Sequence, residues 1–259
     1  MQNQDDDLNE VHVSKESPEP YYIQKGNAAI LIIHGFRATP VDINTWAHYL
    51  SERDISVKTV LLAGHGTKPQ DLEKITWQDW YSSVENGFNE LVEKGHSPIF
   101  VSGHSLGGTL TLHLAAQKKD IAAIVPICAP VFFKGLPSKL LPIVKKIKKY
   151  IDMRSDPSLG YDIERYTYEI VPTSSAHEVV KIANIARKEL SKIKVPAFIV
   201  QSGNDKTIDP ENGRYIYNNI GSEKKELLWV DGAPHVITCH PLRSKVYPKA
   251  YEFLKEFLS

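Results

Sequence analysis

The sequence is short of cysteine, of long apolar runs and of any excess of charge. It has 259 residues and two cysteines, Cys128 and Cys239, with no CxxC pair and no cluster of cysteine with histidine. This pattern predicts no disulfide framework, no metal site and a reducing, cytoplasmic location. Basic and acidic residues number 31 each, so no basic field favours nucleic acid as a partner.

No apolar run reaches the roughly 18 residues that a membrane span requires. The first ten residues are polar and acidic, and they lack the basic and apolar regions of a signal peptide. We therefore expect residues 1–18 to form a solvated arm with little structure, and the protein to be soluble.

What the sequence does contain is the pentapeptide Gly103-His104-Ser105-Leu106-Gly107, between an apolar run and a segment with leucines at helical spacing. A serine lifted off the end of a strand on a sharp turn has strained dihedrals and close backbone neighbours. The positions two before and two after it must then be small, as Gly103 and Gly107 are. The turn also places the hydroxyl at a helix N-terminus, where free N–H groups stabilise negative charge. The pattern predicts that Ser105 is a nucleophile.

Short apolar runs alternate with helical periodicity along most of the chain. Strands are predicted over 28–33, 57–62, 98–102, 121–127, 196–201 and 226–230. Helices are predicted over 44–52, 77–93, 106–117, 210–218 and 244–257. Strands alternating with helices of this length predict βαβ crossovers, and so an α/β fold with a mostly parallel, doubly wound sheet. In such sheets ligands bind at the carboxyl ends of the strands.

The alternation stops between about residues 129 and 193, which contain five prolines, a lysine-rich helical pattern and no convincing strand. We expect a core of residues 19–128 and 194–259, with a helical cap insertion of residues 129–193 over the serine. An apolar face at helical spacing lies opposite lysines there: Leu140, Ile143, Val144, Ile147 and Ile151 against Lys145, Lys146, Lys148 and Lys149.

Two interpretations of this cap helix stay open. One is an amphipathic helix packed on the core with a solvated charged face. The other is a lid that covers an acyl chain while its lysines make transient contact with an anionic lipid surface. A further apolar set would line the same pocket or pack in the core: Val131, Phe132, Phe133, Leu136 and Ile170.

A serine hydroxyl needs a base to take its proton, and the base needs an acid that holds it in the right tautomer. His235 lies in a turn-rich loop directly after the last predicted strand, with His240 as the fallback. The acid is expected after the preceding strand, where Asp205 follows a glycine turn. Asp209 precedes Pro210 and suits a helix N-cap, so we favour Asp205 for catalysis and Asp209 for capping.

The negative charge of a tetrahedral intermediate needs hydrogen-bond donors. One is the backbone N–H of Leu106, and the second is expected from the loop after the first strand, His34-Gly35-Phe36. We assign the backbone N–H of Phe36 to this role. His34 is expected to shape the end of the strand and not to act as a second base.

With these residues placed, the chain resembles the α/β-hydrolase superfamily, and more narrowly its small bacterial carboxylesterases and monoacylglycerol lipases. The matching segments are IHGF at 33–36, AGHG at 63–66, GHSLGG at 103–108, CAP at 128–130, QSGND at 201–205 and HVI at 235–237. The resemblance implies a serine carboxylic ester hydrolase with Ser105, Asp205 and His235 as its triad. It further implies Phe36 and Leu106 as oxyanion donors, and no cofactor or metal.

The expected activity is hydrolysis of short- to medium-chain acyl esters or monoacylglycerols through a covalent acyl-enzyme. A thioesterase or a carbon–carbon bond hydrolase would use the same triad. A catalytically silent, hydrolase-like binding protein would keep the fold without the reaction. The expected partner is therefore a small ester or lipid substrate.

Overall fold

The computed structural model describes residues 11–12, 17–133, 149–154 and 156–258. Its strands are β1 Val11–His12, β2 Tyr22–Ile23, β3 Ala29–Ile33, β4 Ser56–Val60, β5 Ile99–His104, β6 Ala123–Ile127, β7 Tyr150–Asp152, β8 Thr167–Tyr168, β9 Ile170–Pro172, β10 Ala197–Ser202 and β11 Lys225–Val230. Its α-helices are α1 Asn44–Ser51, α2 Trp77–Glu93, α3 Leu106–Gln117, α4 Thr173–Glu189, α5 Glu211–Asn219 and α6 Tyr247–Lys255.

A seven-stranded sheet forms the centre of these described ranges, in the spatial order β11-β10-β6-β5-β3-β4-β2. Neighbouring strands are parallel, except that β2 pairs antiparallel with β4 at one edge. The chain moves outward from β3 to β4 and then crosses back to β5, so the order changes direction beside β3. This switch point is where open α/β sheets bind ligands. Strand β5 ends at His104, directly before Ser105.

Helices cover both faces of this sheet, which explains its continuous apolar strands. Strands β3, β5, β6 and β10 are buried along their whole length. Side chains of α2, α3, α4 and α5 belong to one apolar cluster, and those of α1 and α6 belong to the other. The described residues thus form a doubly wound α/β fold with a mostly parallel sheet, as the sequence predicts.

The stretch expected to be a helical insertion contains strands as well. Strands β7 and β9 form an antiparallel pair, and β8 pairs antiparallel with β1. The expectation that this stretch has no strand is therefore wrong. Each of these strands has only two or three residues, too few to show a period of two in the sequence. Ile151, expected on the apolar face of a helix, lies in β7.

Helix α4 lies within residues 129–193, the stretch expected to form the cap, but it packs as part of the core. Its buried residues Val179, Ile182 and Ala186 join the apolar cluster that contains α3. It leads from β6 towards β10, the parallel strand next to it in the sheet, which is the place of a crossover helix. We call the described residues that precede it, 149–154 and 156–172, the cap segment.

Some sequence predictions fall outside the described ranges. They concern residues 1–10 and 13–16 of the expected arm, Leu136, and the cap-helix residues Leu140, Ile143, Val144, Lys145, Lys146, Ile147 and Lys148. Lys149 is described: its side chain is exposed and its Nζ lies 3.0 Å from Glu73 Oε1. None of the helices in the described ranges is both long and apolar enough to cross a bilayer.

Candidate active site

Ser105 lies on a strained turn between β5 and α3. Its φ of 54° and ψ of −117° are rare for a residue with a side chain. The flanking glycines make the turn sterically feasible. A Cβ on Gly103 would lie 2.2 Å from the carbonyl oxygen of Gly107, and a Cβ on Gly107 would lie 2.2 Å from that of Ile33. Glycine is therefore required at both positions, for the steric reason that the sequence suggested.

The structure brings Ser105, His235 and Asp205 into one hydrogen-bonded chain. His235 Nε2 lies 2.9 Å from Ser105 Oγ, and His235 Nδ1 lies 2.6 Å from Asp205 Oδ2. The side chain of His235 is 7% exposed and that of Asp205 is fully buried. With Asp205 accepting from Nδ1–H, the lone pair on Nε2 faces the hydroxyl, which is the tautomer that a general base requires.

The environment of Asp205 keeps it ionised. Burial by itself would raise its pKa, but His235 and the surrounding hydrogen bonds lower the pKa below its ordinary value. The second carboxylate oxygen, Oδ1, accepts from the N–H groups of Thr207 at 2.9 Å and Ile208 at 3.0 Å. Both oxygens are thus hydrogen-bonded, and the side chain is fixed in place.

The alternative residues make other contacts. Asp209 Oδ1 accepts from the N–H of Glu211, the first residue of α5, at 2.9 Å, although Pro210 and not Asp209 is the residue directly before the helix. His240 Nδ1 accepts from the N–H of Leu242 at 3.2 Å. The geometry therefore joins His235 and Asp205, and not His240 and Asp209, to Ser105.

The direction of the Phe36 N–H follows from the hydrogen bonds of the preceding carbonyl. In a trans peptide the C=O and N–H point in opposite directions. The carbonyl of Gly35 accepts from His34 Nδ1–H at 2.8 Å and from the N–H of Ala38 at 3.3 Å. These two donors fix one side of the peptide plane, so the Phe36 N–H points away from them. Phe36 lines the same cavity as Ser105.

The Leu106 N–H is oriented in the same way. The carbonyl of Ser105 accepts from the N–H of Thr109 at 3.0 Å as α3 begins. The N–H of Leu106, on the other side of that peptide, belongs to the first turn of the helix, whose N–H groups have no acceptor within the helix. The two peptides are thus each held through their carbonyl oxygens, and the role of the Phe36 and Leu106 N–H groups as oxyanion donors stays a prediction.

Three buried histidines near the site are neutral. Burial lowers the pKa of His34 to about 4, of His65 to about 3 and of His104 to about 3. His34 Nε2 accepts from the N–H of Leu62 at 3.0 Å, so its proton is on Nδ1, where it bonds Gly35. His34 therefore shapes the end of the strand, as predicted, because both ring nitrogens are engaged.

His104 connects the two loops of the site. Its Nε2–H donates to the backbone carbonyl of His235 at 2.9 Å, and the two rings lie 5.0 Å apart. Sequence reasoning missed this contact, because the partner is a main-chain atom 131 residues away. The only local signal is the presence of a histidine directly before Ser105.

The donor set near the site does not suit a metal. Among the described residues, His104, Cys128 and His235 place ligand atoms within 4.8 Å of one another. Both nitrogens of His235 are already bonded, to Ser105 and Asp205. Burial raises the pKa of the Cys128 thiol to about 12, and this thiol donates to Ser202 Oγ at 3.2 Å. Three open, deprotonated ligands are therefore not present.

A cavity of about 540 Å³ opens beside Ser105 and His235. Much of its lining is apolar: Pro130, Phe133, Ile151, Met153, Leu159, Ala176, Val179, Val180, Ile208 and Val236. Helix α4 contributes Ala176, Val179 and Val180, and the cap segment contributes Ile151, Met153 and Leu159. A cavity of this size and character suits an acyl chain.

A second part of the lining is charged. Arg165 Nε lies 3.0 Å from both carboxylate oxygens of Asp42, and its Nη2 lies 2.6 Å from Oδ2. Burial alone would lower the pKa of Arg165, but the Asp42 carboxylate raises it, so the pair is ionic. Tyr161 and Arg37 also line the cavity, and the guanidinium carbon of Arg165 lies 5.4 Å from the Tyr161 ring.

The predicted apolar lining is only partly right. Phe133 lines the cavity, but Val131 is fully buried in the core and Phe132 packs on Tyr215 with ring centroids 5.5 Å apart. Ile170 lies in β9 and does not line the cavity. Core packing, the alternative interpretation, accounts for Val131 and Phe132, whereas Ile170 is half-buried and belongs to neither apolar cluster.

A family model described as serine aminopeptidase, S33, matches residues 24–241. The thermostable monoacylglycerol lipase of Bacillus sp. (strain H-257) is 32% identical over 235 residues, which are 91% of this chain and 93% of that relative. The carboxylesterase of Bacillus subtilis (strain 168) is 29% identical over 240 residues, 93% of this chain and 97% of the relative.

A solved structure is also similar to this chain over nearly its whole length. The structure of a metagenome-derived lipolytic enzyme, from work on LipS and LipT, has a TM-score of 0.87 and 28% identity, and covers 94% of this chain and 100% of its own. The family model matches well over half of the sequence. The chain therefore belongs to the serine aminopeptidase S33 family of α/β-hydrolases.

Proposed function

We propose that the chain is a serine carboxylic ester hydrolase that cleaves short- to medium-chain acyl esters or monoacylglycerols. The observation that carries this proposal is the relay from Asp205 through His235 to Ser105, placed beside an apolar cavity. The names of the two relatives that match over nearly their whole length support an ester substrate.

Acylation begins when Ser105 Oγ attacks the ester carbonyl carbon and His235 Nε2 takes the hydroxyl proton. The carbonyl electron pair moves to the oxygen, and the N–H groups of Phe36 and Leu106 stabilise the resulting anion. The ionised Asp205 stabilises the imidazolium that forms. When the intermediate collapses, the bond to the alkoxy oxygen breaks and His235 gives its proton to the leaving alcohol.

Deacylation repeats these steps with water as the nucleophile. His235 takes a proton from water as the oxygen attacks the acyl carbon, and the same two N–H groups bind the second oxyanion. Collapse releases the carboxylic acid and returns the proton to Ser105. The proposed steps use only the substrate, water, the three side chains and the two backbone N–H groups.

Hydrolysis of p-nitrophenyl esters of increasing chain length tests this proposal. The wild type is compared with the Ser105→Ala variant, and thioester, diketone and aminoacyl p-nitroanilide substrates are assayed in parallel. We expect ester turnover that falls by roughly 10³-fold or more in Ser105→Ala. The aminoacyl substrate matters because the family model is described as an aminopeptidase.

The outcome separates the rival functions. Preferred turnover of the thioester, the diketone or the anilide would replace ester hydrolysis with the corresponding reaction on the same triad. A folded wild type that turns over none of them would leave a hydrolase of narrow substrate range or a silent binding protein, and labelling of Ser105 by a fluorophosphonate separates these two. An unchanged rate in folded Ser105→Ala would show that Ser105 is not the nucleophile.

Two further proposals concern the setting of the enzyme. A cytoplasmic location is supported by the scarcity of cysteine and by burial of both thiols, and cell fractionation tests it. Transient contact of the cap lysines with a lipid surface rests on the sequence pattern alone. Flotation of the Ser105→Ala protein with anionic vesicles, compared with neutral vesicles, tests that contact without turnover.

A further inference from the structure

Arg37 lies directly after Phe36 in a backbone conformation that is costly for its residue type. Its φ is 59°, in the left-handed region that only glycine adopts freely. The turn that it completes is the one in which the N–H of Ala38 donates to the Gly35 carbonyl. The surrounding structure must hold such a residue in place, because an unrestrained chain would relax to a negative φ.

Strand β8 of the cap segment holds Arg37 from both its main chain and its side chain. The N–H of Tyr168 donates to the carbonyl of Arg37 at 3.0 Å. In return, Arg37 Nη1 donates to the carbonyl of Tyr168 at 2.6 Å and to Thr167 Oγ1 at 2.9 Å. Burial and the nearby Arg165 lower the pKa of Arg37 to about 10, so it is protonated at neutral pH.

Strand β8 is itself anchored to the core. Tyr168 is 1% exposed, and its hydroxyl donates to the carbonyl of Gly64 at 3.0 Å and accepts from the N–H of Thr67 at 2.9 Å. The strand also pairs with β1 on its other side. A rigid strand therefore lies beside the Gly35–Arg37 loop, with its hydrogen-bonding groups directed at Arg37.

We propose that Arg37 is a positioning residue that clamps the Gly35–Arg37 loop, here called the oxyanion loop, to strand β8. The clamp keeps the Phe36 N–H directed at the developing oxyanion. This rests on the proposed ester hydrolysis, in which Phe36 is one of two donors. The cap segment then does more than cover the cavity, because its strand β8 holds part of the catalytic machinery in register. In this role Arg37 acts through Phe36, although it also belongs to the lining of the cavity.

Four variants separate the clamp from the turn. Arg37→Ala removes the side-chain hydrogen bonds of the clamp and keeps a side chain at positive φ, while the main-chain bond from Tyr168 remains. Arg37→Gly removes the same side-chain bonds but adopts this φ without strain. Arg37→Lys keeps the charge and one nitrogen donor, and Thr167→Val removes one acceptor without touching Arg37. Arg243→Ala is the matched control, because Arg243 binds Asp162 of the cap segment but does not line the cavity.

We expect kcat for a short p-nitrophenyl ester to fall by about 10- to 100-fold in Arg37→Ala and Arg37→Gly alike, since complete loss of one donor costs about 10²–10³. KM should stay within about twofold of wild type, because the donor acts on the transition state. The kcat of Arg37→Lys should lie between those of Arg37→Ala and wild type. Thr167→Val should lower kcat less than Arg37→Ala does, and Arg243→Ala should have the kcat of wild type.

The readout specific to the oxyanion is inhibition by a trifluoromethyl ketone, which forms a tetrahedral adduct with the serine. Its Ki should rise by the same factor by which kcat/KM falls. The proposal is overturned if Arg37→Gly keeps wild-type kcat, if KM rises while kcat is unchanged, or if Ki does not move. Wild-type turnover is measured first; its absence would contradict the proposed function itself, whereas an active wild type makes the variants a test of the clamp alone.

Discussion

The proposed triad has one candidate for the nucleophile with strong steric support, but two candidates for the acid. Ser105 is held by glycines that leave no room for a Cβ, and His235 has hydrogen-bond partners at both ring nitrogens. For the acid, the sequence offers two aspartates four residues apart. The structure separates them by their partners, since Asp205 bonds His235 and Asp209 bonds the N–H of Glu211.

The two aspartates give a direct prediction. Asp205→Asn should lower kcat by roughly 10³- to 10⁴-fold, because an amide at this position favours the wrong tautomer of His235. Asp209→Asn should retain wild-type kcat, since an asparagine side chain can accept the same hydrogen bond from the N–H of Glu211. Steady-state kinetics of the two folded variants on one ester measures this.

The opposite order of damage would contradict the assignment of the acid. A thermal unfolding scan of both variants serves as the control, because loss of fold would otherwise imitate loss of catalysis.

Single residues could be predicted from the sequence where a short motif constrains them sterically. Ser105 and its glycines belong to one pentapeptide, and Asp205 and His235 follow strands whose ends meet at one edge of the sheet. Arg37 could not be found in this way. Its partners, Thr167 and Tyr168, lie about 130 residues away, and only folding brings that strand beside the oxyanion loop.

At the scale of elements, helix α4 combines two tasks. Its buried face packs in the core, while Ala176, Val179 and Val180 line the cavity. The helix is therefore a rigid wall whose side chains determine how much acyl chain fits, and a change on the cavity side should alter chain-length preference without altering the chemistry.

We predict that Ala176→Phe shifts the preferred ester to a shorter acyl chain. The added ring occupies part of the cavity that long chains need, so kcat/KM for long esters should fall by about tenfold or more while acetate and butyrate esters keep most of theirs. The p-nitrophenyl ester series measures the shift.

Lys188→Phe is the matched control on the same helix, because Lys188 is exposed and does not line the cavity. Equal losses at all chain lengths in Ala176→Phe, or an identical shift in the control, would show that Ala176 does not limit the acyl site.

Elements with a strong local signal were predicted closely and those without one were missed. Helix α2 begins and ends as predicted, at Trp77–Glu93, since Thr76 and Asp79 form a capping box in front of its apolar face. Strands β7, β8 and β9 were missed because they owe their existence to long-range pairing and not to periodicity.

At the scale of the whole molecule, burial of neutral histidines makes stability depend on pH. His34, His65 and His104 have folded-state pKa values of about 4, 3 and 3, whereas an unfolded histidine titrates near 6.5. Below pH 6.5 the unfolded chain binds protons that the folded chain does not. The stabilisation is therefore complete above about pH 6.5 and is lost progressively as pH falls towards 3.

We predict that the free energy of unfolding decreases steeply between pH 6.5 and 5, above the range in which most carboxylates titrate. The slope of this free energy against pH should approach the value for about three protons taken up on unfolding by these three histidines. Urea unfolding at closely spaced pH values measures it.

His65→Phe keeps a buried ring and removes one titrating group, so its slope should be smaller by about one proton, whatever its absolute stability. A wild-type free energy that is flat over this interval, or an unchanged slope in the variant, would contradict the account.

The measurement that tests the central claim most directly is labelling by a fluorophosphonate, which reacts covalently with activated serines. Intact-mass and peptide mass spectrometry would follow the wild type, Ser105→Ala and His235→Ala. The account predicts one label per chain, located on Ser105, with no label in Ser105→Ala and very slow labelling in His235→Ala. Label on another residue, or a folded wild type that does not react, would contradict the claim that Ser105 and His235 form a working nucleophile and base.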